Sequence, residues 1–145
     1  MDTGIQGIKS VFRHPDLGLL IIRVAVGLIF LFAGYTKFMA GETTLNTIGA
    51  NIKYLGLDVG TNNISTLFFG VLAAGSEAIG GLMLVIGYMF RTSTAFLLIT
   101  MIVATLSQMD SSVPELTDFG FPMIMGLVVA GLLFTGPGRF GLQKE

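Results

Sequence analysis

The chain has 145 residues, enough for one domain, and 52% of them are hydrophobic while only 12% are charged, about half the charged share of an average soluble domain. A soluble core of this size could not hide so much apolar surface, so lipid must cover part of it. A net charge of −1 argues against a basic nucleic-acid surface, the lack of cysteine excludes disulfides, iron–sulfur ligation and thiolate chemistry, and the single histidine, His14, cannot form a bis-histidine haem site.

Four apolar stretches follow in chain order. The first runs from Leu17 to about Phe38, interrupted by Arg23 before Lys37. The second runs from Leu67 to Phe90 and is broken in its middle by Ser76 and Glu77. The third covers about Ser93 to Met109 and the fourth about Phe119 to Thr135. Each is long enough to cross a hydrocarbon core about 30 Å thick as a helix. The first resembles a signal peptide in its preceding Lys9 and Arg13, but it is longer than a typical h-region and lacks a small-x-small cleavage site, so it reads as a retained helix. The expected architecture is an all-α membrane protein, a four-transmembrane-helix bundle forming a single domain.

Basic residues set the expected orientation. Lys9, Arg13, Arg91, Arg139 and Lys144 fall on one side, whereas the other side has Lys37, Lys53 and the acidic loop of Asp110, Glu115 and Asp118. The positive-inside rule then places both termini in the cytoplasm of a cell-membrane protein. The long connection from Ala40 to Thr66 repeats apolar residues at Leu45, Ile48, Ile52 and Leu55, which predicts a short amphipathic helix on the outer surface or capping the bundle. Asn62, Asn63 and Ser65 offer a start signal for the second span.

Glu77 is the most informative position. A charge at a helix centre costs about 2.5–3.5 kcal/mol on the translocon scale, so it is expected to face the bundle interior. Its helical neighbours are Gly70, Ala73, Ala74, Gly80 and Gly81, a stripe of small residues that admits another helix. On the first span Arg23, Gly27, Phe30, Gly34 and Lys37 share one face. Ser93, Thr100 and Ser107 form a milder polar stripe on the third span, and Gly126 and Ala130 add small residues on the fourth. By depth Glu77 lies about 10 Å from either cation, so a direct pair requires tilt, a register offset or a water. Two readings stand for Arg23 and for Lys37, cavity lining or snorkelling to the nearer interface. Two stand for Glu77 as well, a chemical role or a structural bridge between helices.

The residues also resemble the DoxX family of small membrane proteins. The first span carries Arg23, Gly27, Phe30, Gly34 and Lys37 in the order of that family's signature. The second carries Glu77, Gly80, Gly81, Gly87 and Arg91, and the end Gly136-Pro137-Gly138-Arg139-Phe140 is similar to its terminal motif. The chain departs from the family's common Ser-Leu-Asp ending, with Gly141-Leu142-Gln143 instead. The resemblance implies the four-helix fold first and a link to quinone chemistry second, since some family members are membrane subunits of thiosulfate:quinone oxidoreductase and others associate with terminal quinol oxidases or with quinone and oxidative-stress resistance, while many have no assigned activity. The implied ligand-binding residues are Glu77, Arg23, Lys37, Gly80, Gly81 and Arg91.

The leading functional expectation is a quinone-binding or membrane-anchor subunit of an oxidoreductase. It would hold no cofactor covalently or by metal ligation, would sit in membrane lipid, and would draw electrons from a soluble or membrane redox partner, with a homo-oligomer as a further partner state. The alternatives are a small transporter or permeability protein using Glu77, and a structural membrane partner without a ligand.

Overall fold

The computed structural model describes residues 15–111 and 113–142. Lys9, Arg13, His14, Gln143 and Lys144, on which part of the sequence reading rests, lie outside the described residues. The described chain forms helix α1 (Pro15–Met39), a short helix α2 (Glu42–Ala50) that tightens into a 3₁₀ turn (Asn51–Leu55), and then α3 (Ile64–Ile86), α4 (Phe90–Met109) and α5 (Leu116–Thr135). Helices α1, α3, α4 and α5 are each long and apolar enough to cross a membrane. Large apolar side chains such as Ile22, Phe68, Ile102 and Leu127 remain exposed around the bundle, a load that water would not tolerate and lipid accepts.

The boundaries follow local chemistry. Asn63 caps α3 by accepting from the backbone N–H groups of Ser65 and Thr66, while the Thr66 hydroxyl accepts from the Asn63 N–H. This reciprocal capping box starts the helix three residues before the apolar run does. At the other end the second span stops at Ile86 rather than at the expected Phe90. Gly87 takes a left-handed conformation, φ 73°, and closes α3, so Phe90 belongs to α4. Hydropathy alone cannot see this turn, because Tyr88, Met89 and Phe90 are as apolar as a helix interior.

Helix packing makes an open ring. Helix α1 lies along α3, α3 along α4, and α4 along α5, while α1 and α5 make no comparable backbone approach. Glycine sets the α1–α3 distance. A Cβ on Gly81 would lie 2.5 Å from Leu31 N and 2.6 Å from Gly27 O, and one on Gly27 would lie 2.7 Å from Gly81 O. Gly34 fits just as tightly against Ala74 and Ala78. Below this contact Val26, Phe30, Leu84, Phe90, Leu97, Met125, Val129 and Leu132 form one buried apolar core.

The connection that leads with α2 is not laid loosely over the bundle. Gly49 of α2 packs on the backbone of Thr66, and Gly70 of α3 packs on the backbone of Leu45. Thr66 also donates to Asn46 at 2.7 Å. At the far edge of this roof Tyr54 donates to Asp110 at 2.7 Å and Lys53 lies 3.8 Å from the same carboxylate. The hydrogen bond to Asp110 holds the Tyr54 hydroxyl above its usual range.

Gly81→Leu should therefore unseat α1 and destabilise the bundle by about 1–3 kcal/mol or more. Gly80→Leu should cost less, because Gly80 faces the side chain of Leu97, which can move, rather than backbone. Gly131, with open space around it, should accept leucine with little change. Thermal unfolding of the three variants in detergent measures the order.

Candidate functional site

The register of α1 on α3 brings Lys37 onto Glu77. Because Gly34 abuts Ala74 and Ala78, Lys37 sits about one turn above the level of Glu77 and reaches it directly. Both carboxylate oxygens of Glu77 accept from Lys37 Nζ at 2.5 Å. Glu77 is fully buried, whereas the Lys37 side chain is 29% exposed. The first two turns of α3 rise above α1 and pack on α2 instead, which is the offset that depth counting from the sequence missed. Lys37 therefore does not snorkel away from the bundle; it turns inward to an acid.

The pair stands on the wall of a cleft of about 590 Å³. Ile29, Phe30 and Ala33 of α1 line one side, and Phe121, Pro122 and Met125 of α5 face them across the open seam. Ala73 and Ser76 of α3 and Phe96, Thr100, Ala104 and Gln108 of α4 complete the walls. The roof comes from Ile48, Asn51, Ile52 and Leu55. Ser76 and Thr100 hydroxyls meet at 3.1 Å across the α3–α4 contact. Ile29, Phe96 and Phe121 are about half exposed on the apolar belt, so the cleft opens where lipid would lie. Its size, apolar lining and few convergent polar groups are those of a small-molecule site.

The other expected site residues lie elsewhere. Gly80 and Gly81 pack against α4 and α1 and do not line the cleft. Arg91 is exposed at the start of α4, at the far end of the bundle. Arg23 is buried to 1% exposure and lies about 21 Å along α1 from Lys37. It donates from Nη1 to the Pro137 carbonyl at 2.6 Å and from Nη2 to the Phe140 carbonyl at 3.2 Å. Gly87 and Gly141 pack against the same guanidinium. The two motifs that looked separate in the sequence, Arg23 and the Gly136–Phe140 turn, are thus one clasp tying the end of α5 to α1.

Sequence reasoning missed Asn51 and Gln108, which carry no helical-spacing signal because each reaches the cleft from a roof or a helix end. Of the polar stripe on α4, Thr100 and Ser107 line the cleft, while Ser93 instead bonds the Met89 carbonyl.

Comparison with known proteins adds one match. The DoxX family model matches residues 18–110, a stretch that includes α2, α3, α4 and both members of the ion pair. The chain belongs to the DoxX family. It is a multi-pass membrane protein of that family, and α5 and the Gly136–Phe140 turn lie beyond the matched stretch. No curated protein and no solved structure matches the chain.

Arg23→Ala should release the terminal clasp, since two carbonyls lose a charged donor worth about 1.5–3 kcal/mol each before relaxation. The expected outcome is lower thermal stability and faster proteolysis after Thr135, with Lys37 and Glu77 still paired. Unchanged proteolysis would remove the clasp.

Proposed function

We propose that this DoxX-family chain is a quinone-binding membrane subunit that works with a redox partner, and that the quinone headgroup occupies the cleft beside Lys37 and Glu77. The observation that carries this reading is an ion pair set in the wall of an apolar cleft that opens to the lipid-facing surface. A quinone is lipid-soluble and presents two carbonyl oxygens. Lys37 has three N–H donors, of which Glu77 takes two. The remaining donor suits a carbonyl, and the side-chain amides of Asn51 and Gln108 stand around the same space for the other. Reduction of a quinone consumes protons, and a carboxyl at its edge is the kind of group that passes them.

With no cysteine and one histidine, the chain offers neither thiolate nor paired-imidazole ligation, so a partner supplies the electrons. A transporter that used Glu77 would need a path to both membrane surfaces. The core of Val26, Phe30, Leu84, Phe90, Leu97 and Val129 fills the bundle on the other side of the cleft floor, which favours a blind binding site. Both termini are cytoplasmic on this reading, from the distribution of basic residues.

Three measurements test these proposals. Replacing both members of the pair, Lys37→Met with Glu77→Met, should leave the bundle folded, because exchanging a buried ion pair for apolar groups is often neutral. Lys37→Met alone should destabilise it by about 3–5 kcal/mol, through an orphaned carboxylate. The native protein purified in mild detergent should carry quinone and the double variant should not; quinone on both would place the ligand elsewhere. Reporter fusions after Met89 and after Glu145 should both read cytoplasm, and an external signal at either would overturn the helix count or the orientation.

A further inference from the structure

The exposure of the ion pair is lopsided. Glu77 is fully buried and its two oxygens are occupied by Lys37, whereas Lys37 keeps 29% of its side-chain surface and faces the cleft. An incoming molecule therefore meets the cation of the pair and not the anion. Among the described residues no other Asp, Glu, Lys, Arg or His lines this space. On the roof, Lys53 turns to Asp110, and the charges of α4 and α5, Arg91 and Asp118, belong to the first turns of those helices.

As a unit the pair is neutral. An anionic oxygen settling on Lys37 would leave one uncompensated negative charge in an apolar cleft, which costs several kcal/mol if nothing answers it. One answer lies in contact, a proton on the displaced Glu77 carboxylate.

We propose that the cleft takes weak-acid ligands, lipid-soluble molecules with an ionisable hydroxyl, whose anionic oxygen replaces Glu77 on Lys37 while Glu77 takes up one proton. The proposal rests on the quinone reading and narrows it to hydroxyl-bearing members of that class. The balance is simple. One ligand anion and one proton enter from water, Lys37 stays an ammonium, Glu77 becomes a carboxylic acid, and no electron moves. Net charge in the cleft is zero before and after.

The test uses the full chain in detergent with two probes, 2-hydroxy-1,4-naphthoquinone, which is ionised at neutral pH, and 2-methoxy-1,4-naphthoquinone, which cannot ionise. Calorimetric titration in buffers of different ionisation enthalpy counts protons. The native protein should take up one proton per hydroxy ligand and none per methoxy ligand. Above neutral pH its affinity for the hydroxy ligand should fall about tenfold per pH unit. Glu77→Gln keeps the shape and an acceptor for Lys37, and should bind the hydroxy ligand with no proton uptake. If that variant does not fold, the infrared difference spectrum of the native protein decides, since a carboxylic acid C=O band should appear on binding the hydroxy ligand. Proton uptake that persists in Glu77→Gln, or no new carboxylic acid band, would mean that the ligand enters as a neutral acid and would overturn the proposal. Binding of the methoxy ligand alone overturns it and leaves the quinone reading standing, whereas binding of neither probe overturns both.

Discussion

Everything at the site depends on how closely α1 can approach α3. Gly27, Gly34 and Gly81 remove the side chains that would hold the two backbones apart, and each now lies where a Cβ would strike the facing chain. In lipid no hydrophobic force drives helices together, so close van der Waals contact between such small residues supplies much of the association. The same contact fixes the register. With Gly34 seated between Ala74 and Ala78, Lys37 has no choice of level, and it meets the one acid of α3.

The ion pair itself is a costly element. Taking both charges out of water costs several kcal/mol per ion, and mutual attraction recovers this only with good geometry. Here the geometry is two-pronged, and the cation retains partial access to the cleft. Apolar residues at these positions would serve a purely structural bridge as well or better. A charged pair kept on a cleft wall at such a cost is the feature on which the ligand-binding proposal rests.

The opposite end of the bundle uses its cation differently. Arg23 has carbonyl partners rather than a carboxylate, and its Nε finds no partner among the described residues. A planar guanidinium can span two carbonyls of one turn, which an ammonium cannot do with the same rigidity. The clasp closes the ring where α1 and α5 otherwise stand apart, and leaves the seam beside the cleft open. One helix thus carries two cations in different settings, one holding the turn after α5 and one paired with an acid on the cleft wall.

Local sequence signals were enough for the membrane class, the four spans, a start signal for α3 somewhere among Asn62, Asn63 and Ser65, and the inward placement of Glu77. Each follows from local quantities: apolar length, a capping pattern, and the cost of a charge in hydrocarbon. The sequence also marked Arg23 and Lys37 as one face of one helix, but could not say that they part company. Their partners are set by long-range contacts, Lys37 with an acid on α3 and Arg23 with carbonyls more than a hundred positions away. The seven-residue spacing of Ser93, Thr100 and Ser107 was legible, yet only the packing of α3 and α4 divided it between cleft and backbone. The roof residue Asn51 was invisible, because its segment acquires a facing direction only when Gly49 and Gly70 seat it on α3, and Gln108 was invisible because it reaches the cleft from the last turn of α4. Tertiary structure alone decided the register of α1 on α3, since interhelical contact, not periodicity within either helix, chooses how far one slides along the other.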